Sequence, residues 1–224
     1  MRALRKALRY LLLLGLALLL GLAALIALWR AVPPVSTLML ARWVTFRGVE
    51  HIHVPLARIS PRLIAAVVMS EDALFCRHHG VDWGALNEVI TEADEDGPSR
   101  GASTITMQTA KNLFLWPQRS TIRKGLEIPL ALALDRAWGK RRVLEVYLNI
   151  AEWGDGLFGA EAAARRHFHK SAADLTQREA SLLATALPNP ILRDPSRPKR
   201  RQLVLAAINA GRVVGAEGYL DCVR

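Results

Sequence analysis

The stretch SEDALFCRHHG, residues 70–80, sets Glu71 and Asp72 beside Phe75 and the adjacent His78 and His79. A carboxylate packed near an aromatic side chain is one route to a raised pKa, which a general base working near neutrality needs. A helix here would put Glu71, Leu74, Phe75 and His78 at i, i+3, i+4 and i+7, on one face. Taken alone, the pattern also fits a helix-end carboxylate with no task. Metal ligation is a third reading. The six histidines fall in close pairs, His51/His53, His78/His79 and His167/His169. None of these matches the helical two-histidine, one-glutamate motif of zinc proteases, so zinc is set aside.

A second cluster is GASTITMQTAKN, 101–112. Thr104, Gln108 and Lys111 lie at i, i+4 and i+7, a polar stripe that ends in a cation. Gly101 and Ser103 sit where a helix would begin, and free N–H groups there favour anions. A phosphate between that helix start and Lys111 is one reading; a solvated polar face is the other. A Walker A loop is excluded, since Gly-Lys-Ser/Thr is missing. RSTIRKGLE then adds Arg119, Arg123, Lys124 and Glu127. Arg123 and Glu127 at i, i+4 would make a surface ion pair worth about 0.3–0.5 kcal/mol. The surplus of cations over that one carboxylate favours a polyanionic ligand such as a diphosphate.

Two short patterns carry no chemistry. GDGLFG, 154–159, matches G-x-G-x-x-G but follows a helix rather than a strand, so a tight inter-helix loop is expected. SRPK, 196–199, matches Ser-x-x-Lys in a proline-rich basic stretch without Lys-Thr-Gly or Ser-Asp-Asn after it.

The elements that must position these residues are mostly helical. SPRLIAAVVMSEDALF opens with Ser60 as N-cap and Pro61 at the first helical position. Further helices are expected over STITMQTAKNLFL, RKGLEIPLALAL with its internal Pro129, GKRRVLEVYLNIAEW, GAEAAARRHF and LTQREASLLATAL. The last carries a capping box, Thr176 with Glu179. TEADEDGPSR, 91–100, reads as an acidic, mobile loop. Cys76 and Cys222 are expected as small packing residues, although an exported compartment would permit a disulfide.

The chain has 224 residues and a formal charge of +10. Residues 10–30 are apolar from Tyr10 to Trp29, long enough as a helix to span a bilayer of roughly 30 Å. Arg2, Arg5, Lys6 and Arg9 precede it, so 1–9 is expected to be a cytoplasmic basic tail, with the rest beyond the membrane. The run exceeds the apolar region of a cleaved signal peptide, which favours an anchor. Residues 31–50, with VPP at 32–34, are expected as a stem, and 51–224 as the working domain. The basic balance suits phosphates or lipid headgroups; its place outside the cytoplasm argues against nucleic acid.

Six ordered stretches carry a resemblance. EDALFCRHHG resembles E-D-x-x-F-x-x-H-x-G, GASTITMQTAKN resembles G-x-S-T-I-T-x-Q-x-x-K-N, RKGLE resembles R-K-x-x-E, and KRRVLEVYLN resembles K-x-x-I-L-x-x-Y-L-N. GDGLFGAEAAARRHFHK and LTQREASLLATALPNP follow in the same order. Together these are similar to the motifs of the peptidoglycan glycosyltransferases, as in class A penicillin-binding proteins. Met107 and Val143 depart from the commoner glutamine and isoleucine, at positions without a catalytic role. No transpeptidase domain follows, which implies the stand-alone, monofunctional branch.

The resemblance implies a mainly α, lysozyme-like, bilobal domain behind one N-terminal transmembrane helix, in the bacterial inner membrane with its catalytic domain in the periplasm. It implies polymerisation of lipid II into β-1,4 glycan strands with inversion and release of undecaprenyl diphosphate. Glu71 would be the general base. Glu127 would act on the leaving-group side, either by holding Mg²⁺ or another divalent ion or by fixing the cations; no organic cofactor is implied. Asp72, Phe75, His78, Ser103, Thr104, Gln108, Lys111, Asn112, Arg119, Arg123 and Lys124 would bind substrate. The implied partners are lipid II, lipid-linked strands, the membrane and other proteins of wall synthesis or division. NLFLWP, 112–117, would either dip into the interface or pack in the core. A glycan hydrolase and a tethered wall-binding scaffold are the alternatives.

Overall fold

The computed structural model describes residues 2–91, 102–118 and 120–223 and divides into two units, 1–33 and 34–224. The first holds helix α1, Arg2–Trp29, which takes in the basic tail as well as the apolar run. Its 28 residues include a window of mean hydropathy 2.9, long and apolar enough to cross a bilayer. Among the described residues it is the one helix that meets this test.

The second unit is mainly helical. Its helices are α2 (Thr37–Val44), α3 (Pro61–Glu71), α4 (Trp83–Thr91), α5 (Ile105–Phe114), α6 (Thr121–Ile150), α7 (Ala160–Phe168), α8 (Gln177–Ala186) and α9 (Arg200–Val213). The starts follow local chemistry. Ser60, Thr104, Ser120 and Thr176 each accept a backbone N–H from the first turn of the helix they precede. Thr176 and Glu179 complete the expected capping box. Helix α3 packs on α8 and α9, and α5 lies along α6. Phe75, Tyr147, Trp153 and Phe158 are fully buried between these layers.

Three expectations are corrected. Residues 34–50 are not a free stem. Ser36 caps α2, Met39 is buried, and the Thr37 hydroxyl reaches the carbonyls of Leu115 (2.7 Å) and Asn112 (3.2 Å) at the end of α5. The two helices expected over RKGLEIPLALAL and GKRRVLEVYLNIAEW are both present: the run labelled α6 breaks at Gly139, whose φ of +71° and ψ of 168° are not helical. Second, GDGLFG belongs to a small sheet. Strand β3 (Leu157–Phe158) pairs antiparallel with β2 (Glu152–Gly154) and parallel with β1 (Glu50–His51). Third, Cys76 and Cys222 form a disulfide across 146 residues of sequence. The expected loop at 91–100 lies, from residue 92 on, outside the described residues.

In NLFLWP, Leu113 and Leu115 are core residues, whereas Trp116 is exposed. Asn149, near the end of α6, stitches the helix to the chain before α3. Its amide donates to Val54 O (2.9 Å) and accepts from Val54 N (2.9 Å).

Candidate active site

Helix α3 stops at Glu71. Asp72, with φ −162° and ψ 73°, ends it, so Leu74, Phe75 and His78 do not stack on Glu71 as one helical face. The reason is tertiary. The Asp72 carboxylate accepts from Ile105 N at the start of α5 (2.9 Å) and from His78 Nε2 (3.0 Å), and both bonds need the chain to turn. Leu74 is left exposed and Phe75 is wholly buried. Asp72 thus lines the cleft beside Glu71 with its carboxylate already bonded to Ile105 N and His78, while Phe75 is enclosed in the core. Gly80 closes this turn. Its φ of +86° favours glycine, and a Cβ would sit 2.7 Å from Ala131 O.

Glu71 and Ser103 line a cleft of about 350 Å³, together with Leu74, Asp82, Glu88 and Thr104. Glu71 Oε2 accepts from Gln108 Nε2 (3.0 Å), and Gln108 Oε1 accepts from the Tyr147 hydroxyl (3.0 Å). Burial pushes the Glu71 carboxyl above its ordinary value. The Gln108 bond, Lys111 and Arg193 oppose that rise, and Asp72 adds to it. Burial, followed by the charges of Glu71 and Asp72, pushes the Tyr147 phenol well above its usual range, so it stays a donor. The result is a partly shielded carboxylate, oriented by an amide that is itself fixed, with one oxygen unencumbered by that amide.

The cationic side is built on the first turns of α6. Glu127 is 2% exposed, so the expected surface pair is a buried one. One of its oxygens pairs with Arg123, the other accepts from Lys124 Nζ (2.8 Å). Lys124 Nζ also donates to Ser103 Oγ (2.7 Å), which joins the cluster to the cleft wall. Arg123 Nε donates to Gln118 O (2.9 Å). Lys111, on α5, feels the charges of both acidic groups. Burial lowers its pKa, Glu127 and Glu71 raise it, and Arg123 and Lys124 lower it further.

Among the predicted site residues, Glu71, Asp72, Ser103 and Thr104 line the cleft; Gln108 is bonded to Glu71, and Lys124 links Ser103 to Glu127 and its partner Arg123. Thr104 is drawn off as a cap. Its hydroxyl accepts from Met107 N (3.1 Å) and donates to Gly80 O (2.6 Å). Asn112 gives its carbonyl to Thr37. Arg119 and Gly101 lie outside the described residues. Sequence reading missed Tyr147 and Arg193. Tyr147 stands in the quoted YLN stretch, where nothing in the sequence points to its bond with Gln108. Arg193, whose Nη1 donates to Thr185 O at the end of α8 (2.7 Å), gave none.

The donor set at Glu127 does not fit a resident Mg²⁺, which takes oxygen ligands in octahedral array. Both carboxylate oxygens already hold cations, and no group of three or more His, Cys, Asp or Glu suited to a metal occurs among the described residues.

Comparison with known proteins shows the family. A family model described as Transglycosylase matches residues 39–209. A biosynthetic peptidoglycan transglycosylase of Brucella suis is 53% identical over 193 residues, 86% of each chain. The protein of that name from Agrobacterium fabrum is 54% identical over 192 residues, 86% of this chain and 85% of its own. That from Rhodospirillum centenum is 55% identical over 214 residues, 94% of this chain and 92% of its own. With the family match covering both the Glu71 cleft and the cationic turn of α6, the chain belongs to the transglycosylase family of enzymes.

Proposed function

We propose that the protein polymerises peptidoglycan glycan from lipid II, with the growing lipid-linked strand as donor and incoming lipid II as acceptor. The acceptor 4-hydroxyl oxygen bonds to the donor anomeric carbon as Glu71 takes the hydroxyl proton. The bond from that carbon to the diphosphate breaks, its electron pair leaves with the diphosphate, and the new β-1,4 link has inverted configuration. Burial suits Glu71 to accept that proton near neutrality.

The leaving group departs as an anion without needing a proton, so its difficulty is charge. Fixed cations in a partly dry cleft answer that best. Lys111, Arg123 and Lys124 supply them, and Glu127 holds Arg123 and Lys124 in place. The bond from Lys124 to Ser103, which lines the same cleft as Glu71, carries the reading: a base and a cationic cluster suited to diphosphate border one cleft. Helix α1 would anchor the enzyme in the inner membrane with its N-terminus in the cytoplasm, where both lipid-linked substrates are within reach outside. The Cys76–Cys222 disulfide supports a periplasmic domain, because disulfides persist in oxidising compartments.

The test is incubation of the detergent-solubilised chain with lipid II, and separately with pre-made glycan. New polymer from lipid II, absent with Glu71→Gln, is the expected result. Shortened glycan with no polymer would establish a hydrolase, and full polymerisation by Glu71→Gln would remove the proposed base.

A further inference from the structure

The KRRVLEVYLN stretch opens with Lys140, a residue that neither the base nor the cationic cluster uses. Its side chain reaches back from α6 to the turn that follows Glu71. Lys140 Nζ lies 4.7 Å from the centroid of the buried Phe75 ring, 2.7 Å from Asp135 Oδ1 and 3.5 Å from His78 Nδ1. These groups are shielded: the side chains of His78, Asp72, Asp135 and Lys140 are 8%, 4%, 9% and 12% exposed. A buried ammonium with three kinds of contact costs too much in desolvation to be incidental.

The chemistry of the imidazole gives the arrangement a direction. His78 has two ring nitrogens with different neighbours. Nε2 faces both oxygens of Asp72, at 3.0 and 3.1 Å. A carboxylate only accepts, so Nε2 must carry a hydrogen. Nδ1 faces Lys140, and an ammonium only donates, so Nδ1 must present its lone pair. The two neighbours together leave one arrangement of the ring.

Asp72 then has its hydrogen bonds filled from two sides, by His78 Nε2 and by Ile105 N. That carboxylate ties the end of α3 at Glu71 to the start of α5, the helix that bears Gln108 and, in its last turn, Lys111. We propose that Lys140 is a positioning residue for the reaction: it fixes the tautomer of His78, with the proton on Nε2, and through His78 and Asp72 sets the distance between Glu71 and the α5 side chains. This inference rests on the role given to Glu71 above, but its spectroscopic test does not depend on that role.

The experiment uses the full chain in detergent, labelled with ¹⁵N-histidine, with His78 identified by the signal lost in His78→Gln. Near neutral pH the wild-type ring should show a pyridine-type Nδ1 and a pyrrole-type Nε2. Lys140→Met should lose that pattern, to the other tautomer or to an imidazolium, and lower kcat about tenfold, roughly 1.4 kcal/mol at the barrier, with KM within about twofold. Lys140→Gln keeps a donor and should retain the wild-type tautomer and most of the turnover. A wild-type His78 protonated on Nδ1 overturns the proposal, whether or not any variant folds. So does a Lys140→Met enzyme with both an unaltered His78 spectrum and unaltered kcat. A wild-type tautomer as expected, in a protein that fails to polymerise lipid II, would leave Lys140 as proposed and overturn the function instead.

Discussion

Glu71 is expensive to bury, and that cost is what makes it useful. Its carboxyl pKa is raised by burial, so the ionised form is disfavoured in the folded chain relative to the unfolded one. The sign has two consequences. As pH falls through the raised value, Glu71 takes up its proton and can no longer accept one, so the acid limb of kcat should lie above the ordinary carboxylate value of 4.5. A pH profile with no fall until below that value would contradict the assignment. For stability, the penalty on the folded state is present at pH above the raised folded pKa and fades as pH drops through it towards the unfolded value. Glu71→Gln should therefore be more stable than wild type in urea unfolding at neutral pH, with the advantage shrinking in acid. Its turnover should fall by about a hundred- to ten-thousandfold. Gain in stability together with loss of activity separates a functional carboxylate from a structural one, whose removal would cost both. Lys111→Ala should behave in kind: a large loss in lipid II turnover with a smaller effect on unfolding, because burial also disfavours its charged form.

Helix α6 is where the element scale decides. Glu127 sits one turn after Arg123 and is enclosed, so its two cations are its solvent. Glu127→Gln leaves Arg123 and Lys124 facing one another without a counter-charge, and the fold should lose about 3–5 kcal/mol, the usual cost of breaking a buried pair. Thermal or urea unfolding measures this, and a loss under about 1 kcal/mol would mean the cluster is wet, like an ordinary surface pair. The helix was legible in the sequence because its signals are local. Arg123, Lys124 and Glu127 fall within one turn and a half of one another at its start. Ser60, Pro61, Thr176 and Glu179 marked α3 and α8 by the same kind of short-range chemistry. The end of α3 was not legible. Asp72 breaks the helix for the sake of Ile105, 33 positions onward, and periodicity continues past it as though nothing had happened. Thr104 shows the same limit from the other direction. Its type and spacing suited a ligand, yet as N-cap its hydroxyl is already committed. Tyr147 was hidden because a buried apolar stripe gives no hint that one hydroxyl in it meets Gln108.

At the scale of the whole molecule, two long-range connections govern how the enzyme works. The first is the disulfide, which closes 146 residues and could not be read from either cysteine's surroundings in sequence. It ties the turn after Glu71 to the C-terminal residues, so Cys222→Ser should lower stability by about 2–5 kcal/mol while leaving the base and cations in place. The second is the link between enzyme and lipid. If α1 holds the chain in the same layer as two lipid-linked substrates, the concentration that matters is the number of molecules per unit of that layer, not per volume of solution. Adding empty detergent micelles at fixed enzyme and fixed lipid II then dilutes the layer alone. The initial polymerisation rate of the full chain should fall steeply, since two substrates and the anchored enzyme must meet in one micelle, and restoring the lipid II-to-detergent ratio should restore it. A rate indifferent to added detergent would mean that the cleft captures its substrates from solution, and α1 would then have no part in catalysis.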